Sequence, residues 1–169
     1  MAAITQEGQI TGIYNRHVDA VYRLCYSYMK NAADAEDMVQ ETFLRLIRSG
    51  KCFESDRHER AWLIVTASNL CKDQLKHWWR RTVSLEEQEE AAQSASQNDD
   101  VLQAVMNLPV NYKAVVYLYY YEEYSTREIA GSLHCTESTV RSRLARARNK
   151  LKLSLGGNAD ERAEDKSRL

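Results

Sequence analysis

Between Ser125 and Leu153 the chain reads STREIAGSLHCTESTVRSRLARARNKLKL. Ser125 followed three residues later by Glu128 is a capping box, in which each side chain answers a backbone amide that the start of a helix leaves open. It begins a short helix whose apolar positions are Ile129, Ala130 and Leu133. His134-Cys135-Thr136 is too short for anything but a turn. A second helix then places Val140, Leu144, Ala147 and Leu151 on one side at ~100° per residue. Ser138, Ser142, Ala145 and Asn149 face the opposite way, flanked by Arg141 and Arg146. Two helices joined so tightly, with small Ala130 letting them approach, make a helix-turn-helix, whose second helix enters the DNA major groove. Arginine suits that groove because its fork bridges guanine O6 and N7. Seven basic residues against two acids give the segment a charge of +5. Such crowding argues against a plain solvated helix at the end of an unrelated bundle.

Upstream of this segment, the run Val115-Val116-Tyr117-Leu118-Tyr119-Tyr120-Tyr121 joins β-branched and aromatic residues that favour strands. Its neighbours all carry helical spacing and no second strand is at hand to pair with it, so it reads as helix. Leu108-Pro109 opens that helix with proline near its first position. Val101, Leu102, Val105 and Met106 begin this second helical unit. Before them, Thr82 to Asp100 holds six acidic residues and no base, and is rich in Ser, Gln and Ala. That composition is a linker and the natural domain boundary.

The amino-terminal part has its own helical pattern. Ile13, Tyr14, His17, Val18, Val21, Tyr22, Cys25 and Tyr28 recur at spacings of three and four, the mark of a helix with one buried face. A second helix follows, capped by Asn31, with an apolar stripe of Ala35, Met38, Val39, Thr42, Phe43, Leu46 and Ile47. Asp34, Glu36, Asp37 and Glu41 put four carboxylates near its start, where the helix dipole favours them. Ser49 to Arg57 is a polar loop broken by Phe53, and a longer helix runs from about Glu59 to Trp79. Its end is basic and aromatic, from Lys72 and Lys76 through Trp78, Trp79, Arg80 and Arg81. Adjacent helical positions point ~100° apart, so only one of the two tryptophans is expected to be free to meet DNA.

Taken whole, the 169 residues are 44% hydrophobic and 28% charged, with one proline and six glycines. This describes a folded, helix-rich chain long enough for one medium domain or two small ones. Cys25, Cys52, Cys71 and Cys135 have no C-x-x-C spacing and no histidine pair at metal-ligand distance, so they read as reduced, mostly packed thiols and no metal or cofactor is expected. No stretch approaches the ~18 apolar residues of a membrane span, and the amino terminus lacks a basic region followed by an apolar run, so no secretory leader is expected. The expected place is the cytoplasm, with no direct membrane insertion. An enzyme using Cys71 or Cys135 with His77 or His134 is the rival from another class, but no orienting third group accompanies either pair.

With these residues in view, the chain resembles a known family. Thr139-Val140-Arg141-Ser142-Arg143-Leu144, then Ala145-Arg146-Ala147-Arg148 and Lys150-Leu151, looks like region 4 of the extracytoplasmic-function sigma factors, within the bacterial sigma-70 type. Leu108-Pro109 and Tyr124 to Ala130 fit the same pattern. Asp34 through Arg45 resembles region 2, and Ala61-Trp62-Leu63 with Asn69 through Asp73 stand where that family places its minus-10 reader. The two motifs occur in the right order on either side of a linker.

The resemblance implies an all-α protein of two small helical domains: region 2 at 8–81, a flexible acidic linker at 82–99, region 4 with its helix-turn-helix at 100–155, and a disordered tail at 156–169. It implies an alternative sigma factor with no catalytic residues, whose partners are core RNA polymerase, promoter DNA and, as a candidate, an anti-sigma factor. Asp37, Gln40 and Glu41 would dock on the clamp helices of the polymerase's largest subunit, and the flap of the second-largest subunit would be a further contact. Ser138, Thr139, Arg141, Ser142, Arg143, Ala145 and Arg146 would read the minus-35 element. Phe53, Thr66, Asn69, Lys72, Asp73 and Lys76 would serve the melted minus-10 element, with Phe53 and Asn69 on a flipped base. Val65 and Ser68 depart from the family's usual basic residues, Thr66 from an aliphatic one, and His134 from the glycine usual at the helix turn. A helix-turn-helix regulator that never joins the polymerase is the alternative; the acidic second helix would then have no purpose.

Overall fold

The computed structural model describes residues 2–82 and 104–155, and every regular element among them is helical. The chain divides into two compact units near residue 93. The expected tail, and all but the first residue of the expected linker, lie outside the described residues.

Unit one holds α1 (Ala2–Met29), α2 (Ala32–Ser49) and α3 (Asp56–Thr82), each packed on the other two. Asn31 caps α2 as expected, its side-chain oxygen accepting the Asp34 amide at 2.9 Å. Only Asp34 of the four acids lies in the first turn, so Glu36, Asp37 and Glu41 gain little from the dipole, which falls off within a turn. Gly50 ends α2 with φ 58°, a left-handed conformation that costs glycine nothing. α3 begins at Asp56, earlier than the expected Glu59, and ends at Thr82, beyond Trp79. The Ser55 hydroxyl accepts the His58 amide at 3.2 Å and starts it. The cap escaped reading because the first turn that it opens is polar throughout.

The core of this unit is Val21, Leu24 and Cys25 of α1 against Leu63, Ile64, Ala67 and Cys71 of α3, all at 0% exposure. α2 adds Ala35, Val39, Thr42, Phe43 and Leu46. Burying each large aliphatic side chain contributes ~1.5–3 kcal/mol. Two residues expected in apolar stripes face outward instead: Ile47 is 45% exposed, and Tyr14 is 43% exposed while its ring lies 4.8 Å from Phe43. His17 is buried, but for a polar reason. Its Nε2 lies 2.6 Å from Glu59 Oε1, Arg60 Nε donates to its Nδ1 at 3.2 Å, and Arg16 donates to the same Glu59 oxygen at 3.0 Å. Because Nδ1 accepts, Nε2 is the ring's donor to Glu59. A carboxylate as enclosed as Glu59 needs such partners, and the cluster pins the start of α3 to the middle of α1.

In unit two, residues 104–106 are helical and Pro109 caps α4 (Val110–Val116), which continues as a π-helical turn, Tyr117–Tyr121. α5 (Thr126–Leu133) and α6 (Glu137–Leu155) follow. The strand-prone run is helical because Val115, Val116, Tyr117 and Leu118 are all buried. Four consecutive buried positions cover every side of a helical turn, and packing of that kind outweighs propensities of a few tenths of a kcal/mol. The wider turn closes with the Glu122 amide donating to the Tyr117 carbonyl at 3.2 Å, the five-residue span of a π-helix. Lys113 is 3% exposed and donates to the Met106 carbonyl at 2.7 Å, so its charge answers an open helix end. Leu118, Ile129, Val140, Leu144 and Ala147 are sealed at 0% exposure. Leu151 packs beside Val105, Leu108, Val116 and Ala147, which completes the buried face expected of α6.

Candidate nucleic-acid interface

The helix-turn-helix is assembled from local signals. The Ser125 hydroxyl accepts the Glu128 amide at 3.2 Å while Glu128 accepts the Ser125 amide at 2.8 Å. His134 takes φ 53° at the turn, the left-handed conformation expected there and strained for a residue with a Cβ. The Cys135 amide donates to the Ala130 carbonyl at 3.0 Å and closes α5. Thr136 then starts α6, its hydroxyl accepting the Thr139 amide at 3.1 Å.

Along α6, Ser138, Ser142 and Ala145 form an exposed strip with exposed Arg141 and Arg146 on its two borders. Thr139 and Arg143 are half-buried at one side. The Thr139 hydroxyl lies 2.8 Å from that of Thr136, so of the seven expected residues it is the one tied into the helix cap. Ala145 keeps the middle of the strip low, which lets a groove come close. Of the basic residues counted in the sequence, Arg127, Arg141, Arg146 and Lys150 are exposed, whereas Arg143, Arg148 and Lys152 are half-buried. Glu137 accepts from Thr126 Oγ1 at 2.7 Å and from Arg141 Nη2 at 2.7 Å. The Thr126 hydroxyl first, and then the Arg141 guanidinium, hold its carboxyl below the usual carboxylate range against an opposing push from partial burial.

On α3, Thr66, Asn69, Asp73 and Lys76 follow at spacings of three, four and three, which brings them within ~80° of one another around the helix. Asn69, Asp73 and Lys76 are exposed, Thr66 is half-buried, and half-buried Lys72 borders them. Phe53 comes from the loop before α3, its ring centroid 5.8 Å from Trp62 and 5.7 Å from His58. Trp62 stands one turn before Thr66 on the same side, with Lys51 Nζ 5.7 Å from its ring. Sequence reading gave Trp62 no role of its own, although its spacing of four from Thr66 was the available signal. Ser68 requires a correction: it is 1% exposed and its hydroxyl lies 2.7 Å from that of Tyr28. Its lack of charge therefore belongs to the packing of α1 on α3 and not to strand contact. Trp79 is 74% exposed and Trp78 half-buried, so one tryptophan is open to solvent as expected.

On α2, Asp37 and Gln40 are exposed, and half-buried Glu41 lies 3.7 Å from Arg45 and 3.6 Å from Arg48. Leu44 and Ile47, 42% and 45% exposed, continue the same side. Two open aliphatic side chains thus stand beside the acids on this side of the helix. The rival nucleophile Cys71 is sealed at 0% exposure with Cys25, which denies a substrate access. Cys52 is exposed and Cys135 half-buried, so fewer of the thiols are packed than expected. No group of three metal-ligating side chains occurs among the described residues, and no described helix is long and apolar enough to cross a membrane.

Comparison with known proteins agrees with this division. Residues 13–81 match the model of Sigma-70 region 2, and residues 98–151 match that of Sigma-70, region 4. The ECF RNA polymerase sigma factor SigE of Mycolicibacterium smegmatis is 32% identical over 90% of this chain, which spans 63% of that relative's length. The ECF RNA polymerase sigma factor SigL of Mycobacterium tuberculosis is 30% identical over 91% of this chain and 93% of its own. In fold, the chain is similar to the sigma factor RpoE of Bartonella quintana, solved with the anti-sigma factor NepR, at a TM-score of 0.71 and 22% identity, covering 94% of this chain and 99% of that one.

Proposed function

The chain belongs to the extracytoplasmic-function subfamily of the sigma-70 factors, and from that premise we propose that it is an alternative sigma factor that binds core RNA polymerase and directs promoter-specific initiation in the cytoplasm. It carries no catalytic chemistry of its own. Residues 8–81 act as region 2 and 100–155 as region 4, with 82–99 as the linker and 156–169 as a tail. The observation that carries the reading is the exposed strip of α6 bordered by Arg141 and Arg146, a shape and charge suited to duplex at minus-35. Asn69, Thr66, Asp73 and Lys76, with Phe53 on Trp62, form the face that would receive melted bases at minus-10, since unstacked bases need an aromatic surface and a hydrogen-bonding group.

Asp37, Gln40 and Glu41 are the proposed contact with the polymerase clamp helices, extended by Leu44 and Ile47. Those two open aliphatic side chains favour this reading over a regulator that acts alone. An anti-sigma protein is a proposed further partner, as one was solved with the Bartonella protein. Mapping RNA 5′ ends made by core polymerase with and without the protein tests the whole reading. New start sites sharing upstream minus-35 and minus-10 elements are expected, and their absence would defeat it.

A further inference from the structure

Glu137 is the first residue of α6 and Thr126 the first of α5. One oxygen of the carboxylate accepts both the Thr126 hydroxyl and the Arg141 guanidinium, each at 2.7 Å. The carboxylate is thus fixed from the neighbouring helix and cannot simply follow the arginine as it moves. Arg141 is one turn further along and otherwise 68% exposed, so without this bond its long side chain would sample many rotamers. A guanidinium has five N–H donors, of which a guanine edge needs two. The bond to Glu137 uses one, and enough remain to read a base.

We propose that Glu137 is a positioning residue that sets specificity at minus-35, holding Arg141 in the orientation in which its fork meets a base edge. The inference rests on the reading of α6 as the recognition helix. It also carries a sign that a purely structural role lacks. A carboxylate at the end of the helix that enters the groove repels phosphates, so Glu137 weakens binding to any sequence while sharpening the choice among them.

The test uses full-length protein with core polymerase on three duplexes: a mapped promoter, the same promoter changed at the base pair most sensitive to Arg141→Ala, and a duplex lacking the element. Arg141→Ala should lose about tenfold of discrimination at that pair. Glu137→Gln, which still accepts from Thr126, should lose several-fold at the same pair while binding the third duplex as tightly or more tightly. In the Arg141→Ala background, Glu137→Gln should change discrimination no further, because the effect passes through the arginine. Thr126→Val, which frees the carboxylate but keeps its charge, should lose part of the same discrimination and serves if the Gln variant unfolds. Equal weakening on all three duplexes, or unchanged discrimination, would overturn the proposal while leaving the recognition helix in place. No discrimination lost in Arg141→Ala itself would remove the recognition reading and this inference with it.

Discussion

Arg141 and Arg146 stand exposed on opposite borders of the exposed strip of α6. Replacing either with alanine should therefore weaken binding to a mapped promoter by ~1–3 kcal/mol if it reads a base, with the loss confined to particular base pairs. Gel-shift titration on single-base variants would check this, and unchanged binding by both variants would remove the assignment. Exposed Lys150 belongs to a different class, since an ammonium on a phosphate lowers affinity evenly and flattens the salt slope when removed. On α3, Asn69 is exposed amid the residues proposed for melted bases. Alanine there should leave duplex binding nearly unchanged and reduce open-complex formation, read by permanganate reactivity of thymines near the start site. Equal footprints from wild type and variant on closed promoter would take Asn69 out of the site.

Among the elements, the join of α5 to α6 carries a pH dependence. Thr126 and Arg141 favour the ionised form of Glu137, so its folded-state pKa lies below that of the unfolded chain. A depressed carboxyl contributes stability that is complete above the unfolded value and is lost as pH falls through the folded one. The melting temperature of wild type should exceed that of Glu137→Gln at neutral pH, with the gap closing as pH drops below the ordinary glutamate range. A gap that is constant with pH would show that the ionised carboxylate, held by Thr126 and Arg141, is not its source. The join of α1 to α3 contains, besides the Glu59 cluster, a bond between the Tyr28 and Ser68 hydroxyls, 2.7 Å apart and buried. Ser68→Ala should cost on the order of 1 kcal/mol by removing that bond, measurable by urea unfolding. Ser68→Arg, the family's usual charge, should disrupt unit one and not strengthen DNA binding.

At the scale of the whole molecule, the proposed polymerase surface on α2 and the proposed duplex surface on α6 belong to separate units, so the two activities should separate by mutation. Charge reversal at Asp37 and Glu41 should reduce co-purification with core polymerase while circular dichroism and binding by the α6 face stay as in wild type. Undiminished polymerase binding would place the docking surface elsewhere. Because Glu41 is close to Arg45 and Arg48, the Asp37 single variant should disturb unit one least, and Leu44→Ser with Ile47→Ser offers an uncharged test of the same surface.

What the sequence by itself determined lies where structure is decided within a few residues. The capping box, the Asn31 cap, the turn at His134 and the sealed face of α6 all follow from spacing and local hydrogen bonds, and so the helix-turn-helix was legible in the sequence. The tertiary structure decided what depends on residues far apart in the chain. Ile47 faces outward although helical spacing groups it with the core, because the neighbouring helices cover a narrower arc than the apolar stripe. Ser68 is a core residue because Tyr28, forty positions away, supplies its partner. Glu59 is buried because Arg16 of another helix pairs with its charge and His17 of that helix donates to it. The contact of Phe53 with Trp62 likewise needs the loop folded onto α3. Periodicity reports which side of a helix is apolar, but only packing settles which neighbour covers it.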